Sequence, residues 1–196
     1  MYKVNQRKIQ ARDTKIKILN KSLELFRLRG VGNVTLREIC KECGITTGAL
    51  YHHFESKEQI IQDICYDGFN AFLQKHLRYQ DSEFDAFELI ISFVFLITDF
   101  SKFMGRDLPR ESFKLFIDNP ASKYYSLQGA SYKTMYDIIE RGQKCCQLRN
   151  DKPVEILQDY ISSVGLGIWS LWSLSSLQID DIRDFFRVLK PEFAIK

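Results

Sequence analysis

The sequence predicts an all-α fold of about nine helices, with a small N-terminal domain on a larger helical body. Three observations predict it. Strand-type alternation is nowhere sustained along the 196 residues. Helix-capping signatures recur, at Thr35 with Glu38 and at Ser56 with Gln59. Breakers at Gly105, at the Asn-Pro of 119–120 and across 150–153 divide the rest into stretches of helical periodicity.

Taken in order, residues 1–12 carry Lys3, Arg7, Lys8 and Arg12 without apolar periodicity, and read as a mobile arm. Asp13 or Thr14 caps a first helix in which Ile18, Leu19, Ser22, Leu25, Phe26 and Arg29 recur at helical spacing. Gly30 closes it, and Gly32 with Asn33 supplies the next turn. Thr35 and Glu38 fit a capping box, with Val34 and Ile39 as its hydrophobic staple. Leu36, Ile39 and Cys40 give this second helix an apolar face, and Gly44 stands where the chain must turn. Thr46 or Thr47 caps the next helix, whose inward residues are Leu50 and Phe54. Leu23, Phe26, Ile39, Leu50 and Phe54 are the expected core of these three helices.

Helix, glycine turn, helix is the layout of a helix-turn-helix DNA reader, although a plain helical hairpin shares the two-helix pattern. The residues left outward favour the DNA-binding form. Thr46, Thr47, Gly48, Tyr51, His52 and His53 offer hydroxyls, imidazoles and bare backbone, which suit phosphate oxygens and base edges. Thr35 joins them as a candidate, and Lys57, one place after a cap, can hold a phosphate together with the helix dipole. The basic arm is then either a solvated tail or a further contact to DNA.

Residues 35–57 resemble the DNA-binding segment of the TetR family of bacterial transcriptional regulators. Thr35, Ile39, Gly44, Ile45, Thr46, Gly48, Leu50, Tyr51, His53, Phe54, Ser56 and Lys57 carry the resemblance. Cys40 and Cys43 stand where alanine is usual, and both keep the site small and apolar. About the first third of the chain is covered. The resemblance implies a DNA-binding domain over 1–55 and an effector-binding and dimerisation domain over 56–196, with 56–77 as the connecting helix.

Charge agrees with that division. Residues 1–60 hold 12 Lys/Arg against 6 Asp/Glu and the remainder 16 against 19, so a basic face precedes a mildly acidic body. The five cysteines lack metal-ligand spacing, which points to reduced cytosolic thiols, with redox sensing as the alternative. Residues 1–17 have no apolar signal-type stretch, and no apolar run reaches the ~18 residues of a membrane span. The expectation is a cytoplasmic protein with no membrane partner.

In the body, a fourth helix over 56–77 carries Ile60, Ile61, Ile64, Phe69, Phe72 and Leu73 and should bridge the DNA-binding unit to the C-terminal helices. A long apolar helix runs from near Ser82 to Gly105, a short one with Phe113 and Phe116 comes after Pro109, and another spans 122–146. Residues 153–175 form the next, and a last helix from Asp180 or Asp181 carries Phe185 and Phe186. The 153–175 helix mixes bulky Ile161, Val164, Ile168, Leu171 and Trp172 with small Ser163, Gly165, Gly167 and Ser170, a composition for close helix–helix approach. By the resemblance Ile161, Val164, Ile168 and Trp172, with Phe185 and Phe186, would pair two subunits; an intrachain core is the alternative. Aromatic density in the body suits an effector cavity, with Phe95, Asp99, Tyr132 and Trp169 as candidate contacts. Ordinary core packing is the alternative reading, and for Asp99 a place on the solvent face.

Two of the three histidines, His52 and His53, belong to the DNA-binding unit, which leaves no catalytic constellation. No G-x-G-x-x-G, P-loop or H-E-x-x-H is present, so neither enzyme, cofactor nor metal is expected. The partners expected are double-stranded DNA with an inverted-repeat operator, a small-molecule effector and a second copy in a homodimer. The expected function is a DNA-binding transcriptional regulator, a repressor released by its effector. A DNA-bound architectural or division-control protein of the same fold is the alternative. A helical sensor with a degenerate DNA-binding unit is disfavoured by the intact surface over 46–57.

Overall fold

The computed structural model describes residues 2–77, 85–119 and 129–174. These form helices α1 (Tyr2–Arg29), α2 (Leu36–Cys43), α3 (Thr47–Tyr51), α4 (Lys57–His76), α5 (Ala86–Met104), α6 (Asp107–Asp118), α7 (Ala130–Lys144) and α8 (Val154–Leu174), with a 3-10 turn at Val31–Asn33 between α1 and α2. Among the described residues there is no strand. The expected starts near Ser82 and Ser122, and the last helix with Phe185 and Phe186, lie outside the described residues.

One expectation at the N-terminus is corrected. Residues 2–12 continue α1 instead of forming an arm. Neither glycine nor proline interrupts them, and Lys, Arg, Gln and Ala are good helix formers. Thr14, expected as a possible cap, sits inside the helix, where its hydroxyl donates back to the Gln10 carbonyl at 2.8 Å. Residues 6–13 are exposed throughout, so this leg of α1 is held by helix propensity and not by packing.

Two apolar clusters organise the chain. The first joins Ile18, Leu25 and Phe26 of α1 to Val31, Val34, Ile39, Leu50 and Phe54. Ile60, Ile61 and Ile64 of α4 complete it, with Phe100 and Met104 of α5 and Leu108 of α6. Leu23, an expected core member, is only partly buried at its edge. The three N-terminal helices thus borrow part of their core from the body. The second cluster packs Leu73, Phe87, Ile90 and Val94 against Met135, Ile138, Ile139, Leu148, Leu157 and Trp172. There α7 approaches α5 so closely that a Cβ on Gly142 would sit 2.6 Å from the Ala86 Cβ. Gln147 ties the same junction, its Oε1 accepting the Ala86 N–H at 2.8 Å.

A buried ion pair links α1 to α4. Asp63 is 3% exposed and meets the half-buried Lys15 Nζ at 2.7 Å. The carboxylate lies on the apolar side of α4, where the hydrophobic pattern of that helix gives no hint of it.

Candidate nucleic-acid interface and body cavity

The exposed face of α3 is built by local chemistry. The Thr35 hydroxyl accepts the Glu38 N–H, and the Glu38 carboxylate accepts the Thr35 N–H at 2.8 Å, closing the capping box. Glu38 is also bridged by Arg29 at 2.9 Å. The backbone bond from Thr35, then its hydroxyl, then Arg29 hold the Glu38 carboxyl below the usual carboxylate range. Val34 and Ile39 are both buried, as a staple requires. Gly44 ends α2 in the left-handed conformation, φ 62° and ψ 36°, with its N–H returned to the last turn. The Thr46 hydroxyl then accepts the Ala49 N–H at 3.1 Å and starts α3.

Leu50 and Phe54 anchor this unit inward, 0% and 1% exposed. By helical geometry the other side faces out. Thr46, Thr47, Gly48, Tyr51 and His52 are exposed, and His53 is half-buried. Thr35 is exposed too, but its hydroxyl both accepts from and donates to Glu38. Lys57 differs from its expectation. Its ammonium turns inward, donates to the Val31 carbonyl and stands 5.7 Å from the centre of the Phe26 ring. A carbonyl of the 3-10 turn and an aromatic face lie within reach of Nζ, and the lysine ties α4 to that turn. Arg37 and Lys41, not singled out from the sequence, are exposed on α2, the helix that crosses the DNA backbone in helix-turn-helix proteins.

Behind this unit the body holds a cavity of about 310 Å³. Tyr66 and Phe69 of α4, Phe93 and Phe100 of α5, and Tyr132 and Trp169 contribute to its wall. Trp169 is fixed from two sides: its Nε1 donates to the Ser101 Oγ at 2.9 Å, and Phe113 meets its ring edge-on at 5.9 Å. Of the effector candidates, Tyr132 and Trp169 are in the wall, whereas Phe95 and Asp99 are not. Phe95 packs half-buried on the body core, and Asp99 is exposed. On α5 the wall comes from Phe93, Val94, Ile97, Phe100, Ser101 and Met104, one stripe at three- and four-residue steps. Asp99 falls two places past Ile97, on the opposite side.

The described dimer candidates pack within their own chain. Ile161 is in the cavity wall, Val164 packs on the body core, and Trp172 is buried with the Arg106 guanidinium 5.6 Å from its ring. All three point into their own chain. The outward side of α8 instead carries Ile156, Tyr160 and Leu171, all exposed, with Ser163 and Gly167 between them. The side chain of Ile168, like Phe185 and Phe186, is outside the described residues.

A capped helix, a left-handed glycine and a short exposed helix, mounted on a helical body, define a helix-turn-helix protein. The N-terminal unit belongs to the TetR family of bacterial regulatory proteins: residues 18–64 match the family model described as "Bacterial regulatory proteins, tetR family". It is similar to the HTH-type transcriptional regulator UidR of Escherichia coli K12, 46% identical over 55 residues, which is 28% of each chain. Thus the chain aligns with little more than a quarter of that relative's length. A longer similarity joins it to the HTH-type transcriptional repressor KstR2 of Mycolicibacterium smegmatis, 24% identical over 149 residues, 74% of this chain and 72% of that one. Among solved structures, Thermus thermophilus FadR, a TetR-family transcriptional repressor in complex with lauroyl-CoA, shares the fold. Its TM-score is 0.68 at 17% identity, covering 91% of this chain and 93% of the other. No helix among the described residues is long and apolar enough to cross a membrane.

Proposed function

We propose that this protein is a sequence-specific DNA-binding transcriptional regulator, a repressor that leaves its operator when a small molecule enters the body cavity. The observation that carries the reading is a shared wall. Phe100 and Met104 line the cavity and also belong to the apolar cluster beneath α2 and α3. On α4, Ile60, Ile61 and Ile64 pack under the N-terminal unit, and Tyr66 and Phe69 in the next turns face the cavity. A molecule that moves these side chains therefore moves the seat of α3. This coupling favours a ligand-responsive regulator over an architectural DNA-bound protein, which needs no cavity.

Release requires that the ligand bind the non-DNA arrangement better than the DNA-bound one. A differential of roughly 3 kcal/mol lowers DNA affinity about a hundredfold, and operator DNA must weaken the ligand by the same factor. A homodimer is part of the proposal, with the outward side of α8 (Ile156, Tyr160, Leu171) as the seam in place of Ile161, Val164 and Trp172. Two-fold symmetry then gives an operator that is an imperfect inverted repeat, its half-sites about one turn (~10 bp) or a little more apart.

The test is to map the DNA this protein protects upstream of its own gene and its neighbours. A few promoters carrying inverted repeats, with binding that weakens steeply as salt rises, is the expected result. Many dispersed sites would favour the architectural alternative, and a salt-insensitive complex would sink the reading.

A further inference from the structure

We propose that the body cavity receives an uncharged, largely apolar molecule bearing a hydrogen-bond donor, and that the Gln158 side-chain oxygen is its acceptor. The regulatory meaning of this ligand rests on the effector reading above; its chemistry rests on the wall itself.

Gln158 belongs to the cavity wall and is 0% exposed. Its Nε2 donates to the Tyr132 carbonyl at 2.8 Å, which holds the amide in one orientation. Among the described residues its Oε1 has no hydrogen-bond partner. A buried acceptor left in that state forfeits its hydration without return, so a donor supplied from the cavity is worth more there than at a hydrated site. Three other polar groups of the wall, on Ser101, Cys65 and Tyr66, already have partners. Ser101 Oγ donates to the Ile97 carbonyl and accepts from Trp169 Nε1. The Cys65 thiol donates to the Leu108 carbonyl at 4.0 Å, and the Tyr66 hydroxyl has a hydrogen bond with the Asn70 side chain.

The wall is also neutral. Among the described residues that line the cavity none carries a formal charge. Burial pushes the Cys65 thiol up to about 12, so it stays protonated. A carboxylate or phosphate entering here would lose its water with no cation among the described wall residues to meet it, a penalty that selects against anions. Flat faces complete the description. Phe69 and Phe93 stand edge to face at 5.9 Å, and Trp169 adds a further aromatic wall, an enclosure for a ring. At about 310 Å³ the space lies at the small end of ligand sites.

Three probes of one shape separate these terms: 4-octylphenol, a donor; 4-octylanisole, its methyl ether; and 4-octylbenzoate, an anion. Each is titrated into the full-length protein by calorimetry and tryptophan fluorescence, and again into Gln158→Leu. The phenol is expected to bind about tenfold or more tighter than the ether, with the benzoate weakest. Gln158→Leu should erase the phenol's advantage and leave ether affinity as it was. Gln158→Met, which keeps the length of the side chain, makes the same comparison if the leucine variant does not fold. Equal affinity for phenol and ether, tightest binding of the benzoate, a phenol advantage that survives loss of Gln158, or no binding of any probe would each overturn the proposal. Operator affinity measured in the same titrations tells the two readings apart. A phenol preference with unchanged operator affinity keeps the ligand chemistry and removes the effector role. Operator release by all three probes alike does the opposite.

Discussion

In the N-terminal unit, α2 and α3 have 8 and 5 residues, and each is started by a threonine hydroxyl on a backbone amide three residues on. In the body, α5 and α8 run 19 and 21 residues, and their facing is settled by what packs against them. Short elements with strong ends have their directions set locally. Long elements without interruptions leave their rotation open until a neighbour arrives. The two regions are not independent, however, because Phe100, Met104 and Leu108 of the body close the core of the N-terminal unit.

The largest effect should come from breaking that shared core. Phe54→Ala removes a side chain that is 1% exposed and should cost about 3–5 kcal/mol, read by chemical denaturation. Phe100→Ala should cost a comparable amount and still give one unfolding transition, since both regions lose a packing partner. Two separate transitions would show that the regions fold apart and would overturn the shared-core comparison.

At the exposed face the expected energies are smaller and differ in kind. Replacing Thr47 or His52 by alanine should change base preference, at roughly 1–3 kcal/mol for a good base contact. Tyr51→Phe should weaken operator and random DNA alike, as a phosphate contact does. Lys57→Ala should act through the tie to Val31, lowering thermal stability and weakening all DNA equally. Intact stability together with uniformly weaker DNA binding in that variant would return Lys57 to the DNA face as a phosphate contact. Competition binding with operator and scrambled duplexes measures each of these.

The capping box supplies a sharper and smaller test. Thr35→Ala should cost about 1 kcal/mol, within the usual range for a lost N-cap. Glu38 adds a pH signature. Its folded-state carboxyl titrates below the ordinary value, so its contribution is present above the ordinary carboxylate range. That contribution is lost as pH falls through the depressed value, and Glu38→Gln should flatten this part of the acid limb. Asp99→Asn sits at the bottom of the scale. On the exposed side of α5 it should leave stability within about 0.5 kcal/mol and leave probe binding unchanged. A loss of probe binding would place Asp99 back at the cavity.

Much of the N-terminal unit was legible in the sequence because its code is short-range. Thr35 with Glu38, Gly44, Thr46 and Ser56 each act on amides or dihedrals within a few residues, and the structure has all of them in those roles. The inward pair Leu50 and Phe54 came from helical phase on a helix already located. The start of α1 differs from its expectation because absence of an apolar stripe is not absence of a helix. Residues 2–12 are helical, and over the exposed 6–12 helix propensity carries that form.

What the tertiary structure alone decided is which side of each long helix faces inward. Both sides of α8 offer large apolar residues between small ones, so periodicity could locate the stripes and not rank them. Packing against α5 and α7 turned Ile161, Val164 and Trp172 inward and left Ile156, Tyr160 and Leu171 outside. The same selection put Asp99 in solvent, where the cavity was expected. It also buried Asp63 beside Lys15, 48 residues earlier in the chain, a pairing that no local pattern contains. Gln158 entered the wall for the same reason: its acceptor acquires meaning only once the surrounding helices have closed around the space before it. Sequence sets hydrogen bonds whose partners lie a turn apart, whereas burial is a property of the assembled surface, and a single helix carries no record of it.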